Sequence, residues 1–432
     1  MQSSDRFASR LAAHPLFLCA FRPFFLAAAW TAAIDLALWL GFLAAGLPLP
    51  DVPGGPVVWH VHELLWGFGL AAIIGFLLTA VPEFTGAASC RPRTTMTLLG
   101  LWLFARVAFA ASGIVGPMPA ALAELASVAL LASLAAPPLL RDPARRHLGF
   151  VVALGALGVT LAGFHVDSLR GVYPMRWLHA GVDMVMILVI LAMSRISTRI
   201  VNDALDLLRA AGHDPGDAYR APPPRRNLAI FSICAYSAMQ WSSPGSPNAG
   251  WLALAAAAAT FNLLNDWHRG RVLLDRWVAM LYTVYLFMAL GYALIGLSHL
   301  AGIGAPSAGL HLLTIGAMSL AVFASMSIAG RIHGGWPLDQ RPWLPTAAAM
   351  LAGSAVLRAA AGLGIPGEAG LLHASSALWI GAFLWWALKF HPVLTRPRPD
   401  GRSDCGDYEP PAPAAAAART AAPAPASALA RN

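Results

Sequence analysis

The chain has 432 residues, 58% hydrophobic and 12% charged, with a formal net charge of +8. Soluble domains carry about 25% charged residues, so the composition excludes an ordinary soluble domain and makes lipid the solvent. The basic excess does not signal nucleic acid; in so apolar a chain it reflects topology, because cytoplasmic loops of membrane proteins collect Arg and Lys.

A spanning helix needs about 20 mostly apolar residues. Twelve segments are read as spans, near 23–47, 59–84, 94–115, 119–139, 148–166, 175–196, 227–241, 250–267, 277–300, 308–330, 343–363 and 369–390. Arg6, Arg10 and Arg22 precede the first, and no small-residue cleavage site follows a short apolar core, so it is read as retained rather than as a signal peptide. Alternate loops hold the arginines: Arg91 and Arg93; Arg141, Arg145 and Arg146; Arg195 through Arg226; Arg269, Arg271 and Arg276; Arg331 and Arg341; Arg396 onward. The intervening loops carry almost none, Arg170 and Arg176 excepted. This alternation predicts an all-α polytopic membrane protein of about twelve transmembrane helices with both termini cytoplasmic. Residues 1–392 form the membrane domain, and the Ala/Pro-rich 393–432 is expected to be a disordered cytoplasmic tail. Between the sixth and seventh spans, "VNDALDLLRAAG" reads as a short amphipathic helix. No internal repeat stands out. Cys19, Cys90, Cys234 and Cys405 include no CxxC or CxxCH, so neither a disulfide framework nor covalently attached haem is expected.

The topology sorts the thirteen histidines. His60, His62, His165, His179, His299, His311 and His373 lie toward the outer ends of helices. Ionisable residues inside a membrane are a functional hypothesis by default. Imidazole is the commonest ligand for transition metals and serves haem iron, and several helices of a bundle can converge on one cofactor. His165 and His299 sit at helix ends and read as capping or interfacial residues; for His311 a ligand and a packing role weigh equally. His60 and His62 point about 200° apart on an ideal helix. Either the helix starts after them or each faces a different site. Glu63 shares a face with His60 and can orient a ligating imidazole through its second nitrogen; its bland alternative is a helix cap. Asp183, one turn from His179, could fix that ring's tautomer. Arg106, Arg195 and Arg358 fit either a haem propionate or snorkelling side chains. Tyr282, Tyr285 and Tyr292 read as packing residues. No Walker A, GxGxxG, GxSxG or HExxH pattern occurs, which leaves phosphate chemistry and nucleic-acid binding without support.

The opening "FRPFFLAAAW", then "WHVHELLWGFGLAAIIGFLLTAVPEFTG", then "LHLLTIGAMSLAVFASMSIAGRIHGGWPL" together resemble the NnrS family of bacterial membrane proteins, over roughly residues 15–392. The resemblance implies a twelve-helix inner-membrane protein containing haem and copper and associated with protection against nitric oxide. It puts His60, His62, Glu63, His311 and His333 on the family's polar motif positions. The chain departs from the family pattern at "MSRISTRIVNDAL" after the sixth span, at Ile328 and at Trp336. The expected cofactor ligands are thus His60, His62, His311, His179 and His373, with Glu63 and Asp183 as supporting residues, and the metal ligands His60, His62, His311 and His333. Nitric oxide is the expected ligand, lipid the surroundings, and a separate partner or the quinone pool the electron donor. Histidines on the second, sixth and tenth spans also resemble the layout of haem–copper oxidases and nitric oxide reductases, without their adjacent histidine pair on the seventh. A transporter of metal, haem or a small solute is the alternative, weakened by the lack of two-fold hydropathy symmetry. In a third reading, a structural or assembly protein, the histidines only cap and pack.

Overall fold

Glycine and proline cut the apolar runs into helices. The computed structural model describes residues 11–407 apart from 215, 269 and 403. Twelve long helices stand at the twelve apolar segments: α1 (Phe21–Ala45), α2 (Gly55–Thr85), α3 (Pro92–Ala110), α4 (Met118–Arg141), α5 (Leu148–Leu169), α6 (Met175–Ala210), α7 (Pro223–Ser242), α8 (Pro247–Leu264), α9 (Arg276–Ala301), α10 (Pro306–Ile332), α11 (Trp343–Gly362) and α12 (Glu368–Thr395). Gly86 ends α2 with φ +68°, a left-handed conformation that glycine adopts without a Cβ penalty. Asp275 caps α9, its Oδ1 accepting from the Trp277 and Val278 amides. No strand occurs among the described residues.

Among the described residues, nine of these helices are long and apolar enough to cross a membrane. The exceptions are α3, α7 and α8, and their sequences show why: α3 opens on Pro-Arg-Thr-Thr and carries Arg106, α7 opens on "PPRRN", and α8 holds Asn248 and Asn262. Large apolar side chains such as Val152, Val159, Phe231, Trp251 and Leu388 stay exposed, as a lipid-facing surface requires.

Successive helices pack on one another and α12 closes onto α1. Inside that ring lie α2, α6 and α10, whose most apolar stretches are 83%, 67% and 78% buried, against 61% or less for the other membrane-length helices. Two of the three share a further feature. In α2 the stretch Glu63–Gly69 is π-helical, and in α10 so is Leu312–Ser319; each follows directly on a histidine, His62 or His311. A π segment shifts the hydrogen-bond ladder and recurs at functional sites. Other groups take up part of the displaced polarity: Trp102 Nε1 donates to the Gly67 carbonyl at 3.3 Å, and Ser319 Oγ to the Thr314 carbonyl at 2.7 Å.

Three features differ from the sequence expectation. The amphipathic stretch after the sixth span is no separate helix: α6 runs unbroken to Ala210, because no Gly or Pro lies between Gly181 and Gly212. Cys19 and Cys405 form a disulfide, a pairing across 386 residues that no local spacing could disclose. The expected tail is also packed as far as residue 407. Arg398, 4% exposed, donates to the carbonyls of His333, Asp404 and Gly406. Residues 408–432 of that expected tail, like Arg6 and Arg10, lie outside the described residues. At the other terminus Arg22 of "FRPFF" is fully buried and donates to the Pro15, Leu394 and Arg396 carbonyls, tying the start of α1 to the end of α12.

Candidate metal centre

The helix of α2 is already formed at His60 and His62, so the two side chains diverge and enter different surroundings. His62 is fully buried on the side of α3, α4 and α5. Its ring lies against Phe109 (centroids 3.7 Å apart) and Phe164 (4.7 Å). Its Nε2 is 3.2 Å from Glu124 Oε2, and the same oxygen is 2.7 Å from His165 Nε2. Its Nδ1 is 3.2 Å from Glu63 Oε1. Arg106 binds both carboxylates, donating to Glu63 Oε1 at 2.7 Å and also to Glu124 Oε1. Glu63 therefore serves His62 rather than His60; Arg106 draws its carboxylate to the α3 side of the helix.

One histidine nitrogen each from His62 and His165 and a Glu124 oxygen lie within 4.8 Å of one another, all three residues buried. Two imidazoles and a carboxylate make a donor set for a first-row transition ion. Asp35 lies within electrostatic range of Glu63 and Arg106, and among the described residues no hydrogen-bond partner meets its buried Oδ2. The cluster is thus a dense set of ionisable groups inside an apolar layer, where an unpaired charge is costly. Gly67 is what lets the cluster close: a Cβ there would stand 3.2 Å from Glu63 Oε2 and 3.1 Å from Thr31 Cγ2.

His60, half-buried, faces α1 and α10. Its ring stacks on Trp39 with centroids 4.3 Å apart, and no hydrogen-bond partner meets its nitrogens among the described residues. His311 of α10 and Arg358 of α11 both lie within electrostatic range of it. His311 Nδ1 is 2.7 Å from the Ser307 carbonyl. That carbonyl can only accept, so Nδ1 carries the proton and Nε2 keeps its lone pair, the state of a metal-ligating imidazole.

His333 belongs to neither group. It caps the opposite end of α10, where its nitrogens lie 3.3 Å from Asp407 Oδ1 and 3.7 Å from Glu83 Oε2. Burial holds its ring below the ordinary imidazole range, against the pull of Asp407 and the Cys405 carbonyl. His179 and His373 are half-buried and join none of these clusters. Asp183 accepts from Tyr292 at 2.9 Å and from Ser237, so it braces α6 against α9 and α7 instead of meeting His179.

Sequence reasoning missed Glu124 altogether and set His165 aside as a helix-end residue. Glu124 is a lone carboxylate in "AALAELASVAL", and that isolation inside an apolar run was the available signal.

Fold and site together define an all-helical, polytopic membrane protein with a buried histidine–carboxylate centre. Residues 15–398 match the family described as NnrS protein, and the chain belongs to that family. No curated protein matches it.

Proposed function

We propose that the chain is a haem- and copper-binding protein of the bacterial inner membrane that acts in the response to nitric oxide. The observation that carries this reading is the buried meeting of His62, Glu124 and His165, a cation site formed by three helices of an NnrS-family chain. Copper fits the donor set, since imidazole suits it. In this reading His62 and His165 supply nitrogen, Glu124 supplies an oxygen, and Glu63 orients His62 through the second ring nitrogen while Arg106 holds both carboxylates in place.

Haem would be held on the other face of α2, by His311 or His60. His311 has the hydrogen bond that fixes a ligating tautomer, and Arg358 is placed to meet a propionate. Ferrous haem with an open coordination position binds nitric oxide directly.

The test is the absorption spectrum of the purified protein, oxidised, reduced, and reduced with nitric oxide, with metal analysis of the same sample. A Soret band that shifts with nitric oxide is expected. Protein made with ample haem that is colourless and copper-free overturns the proposal.

A further inference from the structure

The three inner helices do not close on one another along their whole length. Beyond the π segments they leave a cavity of about 60 Å³. Seventeen residues line it, and Ser325 is the single one with a polar side chain. The space arises from small residues where larger ones would fill it, notably Gly69 and Ala72 of α2 and Ala321 of α10.

Size and polarity restrict the occupant. A water needs roughly 10–15 Å³ and two to four polar partners. The room is sufficient and the partners are not there. A cavity that takes benzene is about 150 Å³, well above this one. What fits is an uncharged apolar body of diatomic or noble-gas size. Access is lateral: the lining residues Ile73, Phe76 and Val322 are only half-buried, in helices whose surroundings are hydrocarbon, where such molecules dissolve.

The position is also suggestive. Gly69 is the last residue of the π segment that opens with Glu63, and six residues of helix span about 9 Å. The end of the cavity lined by Gly69 therefore stands within two turns of Glu63.

We propose that this cavity is a binding site for a small, uncharged, apolar molecule taken from the bilayer. That its natural guest is nitric oxide rests on the functional reading above; the site itself does not.

Xenon is the probe. Crystals of the purified full chain are pressurised with xenon and the anomalous signal recorded, for the wild type, Ala321→Leu and Ala72→Leu. The expected result is a xenon peak between α2, α6 and α10 in the wild type, lost in the variants, whose thermal unfolding shows that they fold. Two variants guard against one failing to fold. No xenon there in the wild type, ordered water or a lipid chain filling the space, or undiminished xenon in the folded variants overturns the proposal. Xenon needs no metal, so a metal-free protein that takes it keeps the cavity while the metal reading falls.

Discussion

Glu124 of α4 and His165 of α5 meet inside the apolar layer, with Oε2 and Nε2 2.7 Å apart. Glu124 is the hub of its cluster, because His62 and Arg106 bind the same carboxylate. The two residues should therefore differ in what their loss costs. His165→Ala removes one donor from a carboxylate that keeps two others, a loss of about 1–3 kcal/mol. Glu124→Ala strands a buried guanidinium with only part of its compensation, at about 3–5 kcal/mol. Denaturant unfolding of the metal-free protein in detergent should rank the two in that order; the reverse order contradicts the hub role.

Cation binding at this centre should release protons. In the ion-free cluster each nitrogen of His62 faces a carboxylate oxygen, Nδ1 toward Glu63 and Nε2 toward Glu124. A carboxylate only accepts, so Nε2 carries a proton that must leave before it can ligate. Calorimetric titration with copper or zinc in buffers of different ionisation enthalpy reads this directly. A binding heat independent of buffer counts against His62 Nε2 as a ligand.

Gly67→Ala tests the close approach that assembles the cluster. The added methyl would press on Thr31 and on Glu63 Oε2 at 3.1 and 3.2 Å, and overpacking of this kind costs about 1–3 kcal/mol. Gly100→Ala, on α3 with nothing within 4 Å of the new Cβ, should be neutral or slightly stabilising. Equal unfolding midpoints for the two variants would show that the π segment yields freely.

The loop after α10 gives a pH dependence. Burial works to raise the Asp339 carboxyl, but side-chain and backbone hydrogen bonds from Arg341 and one from Trp343 outweigh it and hold the group well below the usual carboxylate range. A carboxyl depressed in the folded state stabilises above its unfolded value, near 3.9, and that stabilisation fades as pH falls through the folded value. Asp339→Asn should therefore lower the melting temperature by a constant amount between pH 5 and pH 7, by an effect of about 1–3 kcal/mol. The gap should narrow only below about pH 4. A gap that narrows near neutrality would contradict the assignment.

What the sequence discloses and what it hides follow from the range of the interactions. Apolar length and the positions of Gly and Pro are local, so all twelve helices could be placed from them. The divergence of His60 and His62 needed only the helical period. The partners of those histidines were another matter. His62 meets Glu124 across 62 positions and His165 meets Glu124 across 41, and which helices neighbour α2 is set by packing around the whole ring. Arg106 was ambiguous from sequence for the same reason: a guanidinium at a helix's outer end snorkels or pairs according to what stands opposite. The Cys19–Cys405 link is the extreme case, joining the two ends of the described chain.

The central claim is a metal ion held by His62, Glu124 and His165. Its most direct test is the metal content of the purified protein, from cells supplied with copper and haem, for the wild type and for His165→Ala. The account predicts a stoichiometric non-haem first-row ion in the wild type that is lost or strongly depleted in the variant, with haem content and fold retained. An equal non-haem metal content in the two, or none in the wild type, would contradict it and leave the cluster as a buried ion-pair network.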